Sequence, residues 1–328
     1  MAISITGIRA TGTPHLGNYL GMLRPALALA RSHESLCFMA DLHALIDVRD
    51  PEALRSSTRE IAAVWLAFGL DPGETALYRQ SDVPAICEVM WLLSCVTAKG
   101  ELNRGHAYKA MVAANAQSGR DPDAGVTAGL FGYPLLMAAD ILAMDAEIVP
   151  VGRDQRQHVE AAREIARAFN GAYGEVLRVP EAVVDERVMT VPGLDGRKMS
   201  KSYGNVIALM AEPDELRRCV MRIVTDSRRP EEPKDPDGDT VFCLYRELAG
   251  ADDVRAMRDR YLAGGVGYAE AKQALYEALD AVVRGPRERY RELLADPGEI
   301  EGVLDAGAAV ARARADATLA RMRAAVGL

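Results

Sequence analysis

The sequence lacks any apolar run of the roughly 20 residues that a membrane-spanning helix requires. Its start also lacks a basic segment followed by an apolar stretch, which a secretory signal would have. We therefore expect a cytoplasmic protein that acts without a membrane. Aromatic residues are scarce at 5%, but 49% of the 328 residues are hydrophobic and 26% are charged, which is typical of globular chains. This length predicts two domains.

The sequence has no CxxC pair, and its five cysteines are odd in number. They are Cys37, Cys87, Cys95, Cys219 and Cys243. Because four of them lie in apolar surroundings, we expect buried free thiols, with no metal site and no redox pair.

The chain also lacks an excess of positive charge, since its net charge is −8. This excludes a generic binder of polyanions, because attraction to phosphates requires basic side chains. Any nucleic acid that binds must therefore meet local basic patches.

Short strands separated by helical patterns predict an α/β fold with a parallel, doubly wound sheet. The predicted strands are Ile3–Thr6, Leu36–Ala40, Ala76–Arg79 and Glu147–Val151. The predicted helices between them include Leu16–Ala30, Pro51–Phe68 and Pro84–Thr97. The stretch Asn115–Val126 resembles a mobile loop. Beyond Asn205 the pattern is helical, with Asp214–Thr225 predicted as a helix and Asp226–Asp239 rich in proline and charge, so a smaller all-α domain is expected.

A strand enters a helix through Gly7, Gly12 and Gly17, a pattern that suits phosphate binding. We expect Gly7 and Gly12 to adopt backbone geometries closed to other residues, and Gly17 to let a ligand approach the backbone. A helix start presents unpaired N–H groups and a positive dipole end to an anion. His15 and Asn18 would then donate to phosphate oxygens. The alternative is an ordinary turn with His15 as a polar cap.

A second candidate element is the segment Lys198–Ser202, which follows a glycine turn at 193–196. Its two lysines and two hydroxyls suit a polyphosphate, although a solvated charged loop is the simpler interpretation.

A third candidate is the segment Tyr133–Leu142, in which Tyr133, Met137 and Asp140 share one helix face. A carboxylate in such an apolar run is costly unless it has a partner. Asp140 is either an acid that pairs locally at the surface or an acceptor for a ligand N–H inside an apolar slot. Further on, Asp154 and Gln155 are expected at a helix N-terminus on the carboxyl edge of the sheet. Asp154 is either a stabilising first-turn acid or a ligand for ribose hydroxyls.

The segment 13–18, Thr-Pro-His-Leu-Gly-Asn, resembles the HIGH-type signature of class I aminoacyl-tRNA synthetases, and Lys198–Ser202 spells the KMSKS signature of the same class. The resemblance implies a Rossmann-type catalytic domain that binds ATP, with Mg²⁺ accompanying the ATP. His15, Asn18, Lys198 and Lys201 would be catalytic. Their chemistry would be positioning and electrostatic stabilisation of the phosphoryl transition state.

Three segments resemble bacterial tryptophanyl-tRNA synthetases, namely residues 17–21, 133–142 and 149–158. The resemblance covers nearly the whole chain. It implies that Asp140 accepts the indole N–H and that Tyr133 and Gln155 hold the α-amino group. The residues expected to wall or border the ring are Met137, Ile141, Val149, Val151 and His43. For His43 the alternative is a polar histidine at a strand end.

The same resemblance implies an ATP site in which Gly152 and Asp154 meet the ribose, and Val188 and Met199 meet the adenine. The full expected set is Arg9, Ala10, Thr11, Gly17, Asn18, Gly152, Arg153, Asp154, Val188, Lys198, Met199, Ser200, Lys201 and Ser202. This sequence departs from the family at Arg9, usually glutamine, and at Arg153, usually glutamate. Both departures add positive charge, so altered ATP handling or inhibitor sensitivity is a hypothesis. No protein-bound metal site is expected.

The resemblance also implies the domain layout and the partners, which are L-tryptophan, ATP, tRNA(Trp) and a second copy of the chain. Residues 1–204 would form the catalytic domain and residues 205–300 a helical anticodon-binding domain, with the end of the chain, 301–328, packing back near the catalytic domain. Candidate tRNA contacts are Arg217, Arg218, Arg222, Arg228, Arg229, Arg284, Arg287, Arg289 and Arg291, although solvated helix faces are the commoner explanation for any one of them.

Three alternatives remain open. Tyrosyl-tRNA synthetases share the fold, but their pocket pattern matches less well. A non-catalytic, synthetase-like regulatory protein would be expected to lose one of the two signatures, and both are intact. A small-molecule adenylyltransferase would lack both the helical second domain and the context of Asp140.

Overall fold

The computed structural model describes residues 2–151, 156–184 and 191–328. Its strands are β1 (Ile3–Arg9), β2 (Glu34–Ala40), β3 (Thr75–Arg79), β4 (Ile148–Val151) and β5 (Glu181–Val184). They form one sheet in the order β3–β2–β1–β4–β5, and neighbouring strands pair in parallel. This strand order is that of a doubly wound Rossmann sheet, so the predicted fold class is confirmed.

Helices cover both faces of the sheet and form the second half of the chain. Helix α1 (Leu16–Asn18) continues through a π-helical turn at Tyr19–Leu23 into α2 (Arg24–Ala30). The remaining helices of the first half are α3 (Asp41–Ala44), α4 (Pro51–Ala67), α5 (Ala85–Ser94), α6 (Lys99–Leu102), α7 (His106–Gln117), α8 (Ala128–Ala143) and α9 (Arg156–Tyr173). Those of the second half are α10 (Pro213–Met221), α11 (Thr240–Tyr245), α12 (Ala251–Ala263), α13 (Tyr268–Ala295) and α14 (Pro297–Val326).

The central strands are apolar on both faces, as a covered parallel sheet requires. In β2, Leu36 and Phe38 point into one core with α5, α8 and α9, whereas Cys37 and Met39 point into the other core with α4. Since side chains alternate along a strand, each strand contributes to both layers.

Two features of the sheet differ from expectation. Strand β1 runs through Gly7 to Arg9, so no turn begins at Gly7. Gly7 is needed for space instead, because a Cβ there would lie 2.4 Å from the Phe38 ring. Strand β5 was not anticipated, since its four residues give too short an apolar pattern to distinguish from a loop.

The sheet opens between β1 and β4, where the strand order reverses. Strand β1 pairs with β2 over its whole length, from Ile3 opposite Glu34 to Arg9 opposite Ala40. Its pairing with β4 is at Ser4 opposite Ile148, near the amino end. Ligands of doubly wound sheets bind in such a crevice, beyond the carboxyl ends of the strands.

Helix α14 packs back against the half of the chain that contains the sheet. Its Gly307 lies so close to β3 that a Cβ would come within 2.1 Å of the Leu77 carbonyl oxygen. Arg321 donates to Asp145 at 2.7 Å and Arg323 to Glu88 at 2.7 Å. The helix thereby covers the edge strand of the sheet, which would otherwise expose unpaired backbone groups.

The cysteine prediction was correct about pairing and wrong about burial. All five thiols are free. Cys37 is buried, Cys219 and Cys243 are half-buried, and Cys87 and Cys95 are exposed. Cys87 in α5 and Cys95 at its C-cap lie on the side of the helix that faces away from the core.

The segment predicted as a mobile loop, 115–126, begins inside α7, which ends at Gln117. The buried side chain of Asn115 donates to the carbonyl oxygens of Pro122 at 2.9 Å and Ala124 at 2.8 Å. The turn is therefore tied to the helix before it. None of the described helices combines the length and the apolarity that crossing a bilayer requires.

Candidate active site

A cavity of about 430 Å³ lies over the sheet between the carboxyl half of β1 and helix α8. The Thr127 side chain caps α8 by accepting from Leu130 N at 3.1 Å, and the helix then presents Tyr133, Met137 and Asp140 on one face, as predicted. All six predicted tryptophan-binding residues whose side chains the structure describes line this cavity. They are His43, Tyr133, Met137, Asp140, Ile141 and Val149.

Asp140 is the buried acid at the base of this cavity and has 1% exposure. It accepts hydrogen bonds from Gln80 Nε2 at 2.8 and 2.9 Å and from His43 Nε2 at 3.1 Å. Burial raises its pKa, and the donors His43 and Gln80 oppose that rise by favouring the charged form. Two carboxylate oxygens can accept about four hydrogen bonds. Asp140 therefore keeps acceptor capacity for a donor in the cavity.

Gln80 is the member of this site that the sequence did not reveal. It is fully buried and lies in the 3₁₀ turn that follows β3. Its position in the sequence could have indicated this role, since a polar residue directly after a buried strand lies at the carboxyl edge of the sheet. When Asp140 is ionised it can only accept, and its hydrogen bond with His43 then requires the proton on Nε2. His43 therefore does more than end a strand as a polar residue, because it lines the cavity and forms a hydrogen bond with Asp140.

Tyr133 connects the cavity to helix α9. Its hydroxyl lies 2.9 Å from His158 Nε2, and its ring meets His43 edge-on, with centroids 6.2 Å apart. Burial raises the pKa of Tyr133, and the nearby positive charge of Arg9 lowers it. The hydroxyl is therefore neutral at physiological pH and oriented by the histidine.

At the outer end of the cavity, Arg9 forms an ion pair with Asp47. Both side chains line the cavity, and both are substantially exposed to solvent.

The turn after β1 differs from expectation in its hydrogen bonding. Gly12 has φ of +92°, a conformation that L side chains rarely adopt, as predicted. The first N–H groups of the helix, however, already have acceptors: Leu16 N donates to Ile207 O at 2.9 Å, and Asn18 N to His15 O at 2.8 Å. Gly17 N donates to the Met199 sulfur at 3.2 Å, a weak acceptor. The expectation of a row of unpaired donors was wrong.

His15 and Asn18 nevertheless retain free donor or acceptor atoms. Asn18 Oδ1 accepts from His15 N at 3.0 Å, which leaves the Asn18 amide group as a donor. In the described part of the chain, the buried His15 Nδ1 has no hydrogen-bond partner. Burial, assisted by Lys201, lowers the pKa of His15 to about 4, so the ring is neutral at pH 7. An unpartnered buried nitrogen of this kind is costly unless a ligand satisfies it.

The lysine-bearing segment, Lys198–Ser202, is held by Asn205, another residue whose role the sequence did not reveal. Its buried amide donates to Asp195 Oδ1 at 2.7 Å and to Lys198 O at 3.0 Å, and its oxygen accepts from Ser200 N at 2.8 Å. Gly193 permits this approach, because a Cβ would lie 2.4 Å from Asn205 Nδ2.

This segment lies directly against the turn after β1. Lys201 Nζ donates to Thr11 O at 2.9 Å, next to the buried Ala10. Desolvation lowers the pKa of Lys201, and Glu60 opposes the shift. Lys198 and Ser202 are exposed, Ser200 is half-buried and its hydroxyl lies 2.8 Å from that of Ser202. Met199 is buried beneath Gly17, so in this structure its side chain lies in the core.

Several predicted residues lie outside the described part of the chain. They are Gly152, Arg153, Asp154, Gln155 and Val188, together with the side chain of Val151.

The candidate tRNA contacts divide into two groups. Arg287 is 3% exposed and donates to the Asp280 carboxylate at 3.1 Å, so it is not a surface contact. Its neighbours Arg284, Arg289 and Arg291 each pair with a carboxylate. The other set is exposed and comprises Arg217, Arg218, Arg222, Arg228 and Arg229. The helix predicted over Asp214–Thr225 is α10, which runs from Pro213 to Met221 and leaves Arg222 at its C-cap.

Among the described residues, no group of three or more histidine, cysteine or acidic side chains is arranged to hold a metal ion.

Comparison with known proteins gives consistent matches over nearly the full chain. The model of the family described as tRNA synthetases class I (W and Y) matches residues 2–284. The tryptophan–tRNA ligase of Xylella fastidiosa is 56% identical, and the alignment covers 99% of this chain and 75% of that protein. The corresponding ligase of Pseudomonas aeruginosa is 54% identical, with 99% and 73% covered.

Among solved structures, the tryptophanyl-tRNA synthetase of Campylobacter jejuni, complexed with ADP and tryptophan, superimposes with a TM-score of 0.87. It is 38% identical, and the match covers 99% of this chain and 100% of that one.

Proposed function

This chain belongs to the class I tRNA synthetases of the tryptophan and tyrosine group and within them to the tryptophanyl-tRNA synthetases, and from that membership we propose how its residues perform the reaction. The activity is the ATP-dependent ligation of tryptophan to tRNA. Asp140 carries the assignment of residues, because it is a buried carboxylate with spare acceptor capacity at the base of a cavity of about 430 Å³.

The cavity selects tryptophan through one polar contact in apolar surroundings. Met137, Ile141 and Val149 flank the ring, and Asp140 accepts the indole N–H. Phenylalanine has no such donor and leaves the acceptor unsatisfied, which discriminates strongly against it. Tyr133, together with Gln155, holds the α-amino group, and His43 keeps Asp140 in place.

The ATP phosphates bind between the turn after β1 and the lysine-bearing segment. His15 Nδ1 and the Asn18 amide contact the phosphates, and Lys198 and Lys201 stabilise the departing pyrophosphate. When ATP binds, Lys201 gives up its hydrogen bond to Thr11 O for one to a phosphate oxygen. Gly17 N likewise gives up its hydrogen bond to the thioether of Met199 for one to a phosphate oxygen. The other contacts to ATP are assigned to Ala10, Thr11, Met199, Ser200 and Ser202, with the nucleoside held by Gly152, Arg153, Asp154 and Val188.

In the activation step, a carboxylate oxygen of tryptophan attacks the α-phosphorus in line. A new P–O bond forms, the bond between the α-phosphorus and the bridging oxygen to the β-phosphate breaks, and pyrophosphate leaves with that electron pair. Negative charge grows on the phosphate oxygens, so catalysis consists of positioning and charge stabilisation.

We assign residues 1–204 to the catalytic domain and residues 205–300 to the anticodon-binding domain for tRNA(Trp). The exposed Arg217, Arg218, Arg222 and Arg229 are the candidate phosphate contacts there, because the described structure gives their side chains no acidic partner. Mg²⁺ enters with ATP, and the reaction takes place in the cytoplasm, where tRNA and ATP are found.

The chain also forms a homodimer in this proposal. The supporting observation is the outer face of α5, where Trp91 is 68% exposed and lies one turn from Cys87 and Cys95. Exposed apolar side chains that form one contiguous patch mark interaction surfaces.

Charging of purified tRNA(Trp) and tRNA(Tyr) with labelled tryptophan tests this proposal. We expect tryptophan on tRNA(Trp) alone, and its absence there would refute the proposal.

A further inference from the structure

Arg9 and Asp47 form a charged pair at the outer end of the amino-acid cavity. Arg9 is the last residue of β1, and Asp47 follows α3 in the connection to α4. Their side chains are 49% and 60% exposed. Ion pairs at that exposure are weak, because water solvates each partner almost as well. Either partner can therefore exchange for a ligand group of the same charge at little cost.

The charges lining the cavity show what Arg9 would attract. Among the described lining residues, Arg9 has the one permanently cationic side chain. Asp140 lies at the opposite, buried end, and Tyr133 lies close enough to Arg9 to be influenced by its charge. An amino acid that places its side chain toward Asp140 and its α-amino group at Tyr133 places its α-carboxylate near Arg9.

We propose that Arg9 binds the α-carboxylate of the entering amino acid and that Asp47 is the counter-ion which it releases on binding. This inference rests on the proposed function, because it deepens the description of the same cavity. Guanidinium and carboxylate match in geometry and can form two parallel hydrogen bonds. Arg9 thereby orients the oxygen that attacks the α-phosphorus, and the family resemblance that placed Arg9 among the ATP contacts is refined.

Calorimetric titration of Arg9→Gln with tryptophan and with tryptamine tests this, since tryptamine keeps the indole and the amine but lacks the carboxylate. We expect tryptophan to bind about 10-fold more weakly, which corresponds to about 1.4 kcal/mol. Tryptamine should bind as tightly as to the wild type, or more tightly. The KM for ATP should stay within about twofold.

Two further variants and a control sharpen the test. Arg9→Lys keeps the charge and should recover part of the affinity for tryptophan. Asp47→Asn removes the competing counter-ion, so tryptophan should bind at least as tightly as to the wild type. Arg49→Gln removes an exposed arginine near Asp47 whose hydrogen bonds go to the carbonyl oxygens of Leu45 and Ile46, and should leave both ligands unaffected.

This inference alone would be overturned if Arg9→Gln lost affinity for tryptophan and for tryptamine by the same factor, or lost affinity for neither. Weaker binding of tryptophan by Asp47→Asn would also overturn it. A wild-type protein that binds neither ligand would overturn the proposed function together with it.

Discussion

Replacement of Asp140 by asparagine should selectively weaken the recognition of the indole nitrogen, because the amide has one acceptor oxygen where the carboxylate has two, and Gln80 and His43 compete for it. The carboxylate accepts from Gln80 and His43 and, in the proposed complex, from the indole N–H. Hydrogen bonds to charged groups contribute about 1.5–3 kcal/mol. Loss of one such bond in the transition state corresponds to roughly a 10- to 150-fold decrease in kcat/KM for tryptophan.

The assay is tryptophan-dependent ATP–pyrophosphate exchange, run in parallel with a tryptophan analogue methylated on the indole nitrogen. The wild type should favour tryptophan, and the Asp140→Asn variant should lose most of that preference. Asp145→Asn is the matched control, because Asp145 lies just beyond the same helix and pairs with Arg321. The role of Asp140 would be refuted if Asp140→Asn kept kcat/KM for tryptophan within about twofold of the wild type, or if kcat/KM fell by the same factor for tryptophan and for the methylated analogue.

Three further predictions concern the nucleotide side. Lys201→Met should lower kcat for exchange about 100-fold or more, as loss of an electrostatic stabiliser does, with KM for tryptophan little changed; Lys109→Met on exposed α7 is the control, and equal effects would contradict the assignment. Asn205→Ala should lower the free energy of unfolding by about 1–3 kcal/mol in urea titrations, because the substitution removes the hydrogen bonds that the buried Asn205 amide makes with Asp195, Lys198 and Ser200, and an unchanged midpoint would refute this. The folded pKa of His15, about 4, lies below its unfolded value of 6.5, so the unfolded state takes up a proton first and the free energy of unfolding should fall as pH drops from 6.5 to 4; His15→Gln should flatten that slope, and an identical slope would contradict the burial of the ring.

The sequence predicted the elements that carry a local pattern. The carboxyl ends of β2 and β3, at Ala40 and Arg79, and the shared face of Tyr133, Met137 and Asp140 follow from periodicity. Each depends on residues that are close in sequence or on segments long enough to give a clear signal.

The features that the sequence did not predict depend on contacts between distant segments. Gln80 reaches Asp140 across 60 positions, and Leu16 N donates to Ile207 O. No local pattern encodes such pairs. Gly7 was assigned to a turn because glycine more often signals backbone freedom than the space required by a neighbouring ring such as that of Phe38. Cys87 and Cys95 were assigned to the interior because an apolar run does not show which face of α5 points outward.

The most direct test of this account is ATP–pyrophosphate exchange by the wild-type protein, measured separately with each of the twenty amino acids. We predict exchange with tryptophan and only background exchange with tyrosine and phenylalanine. Exchange that depends on tyrosine and not on tryptophan would contradict the account.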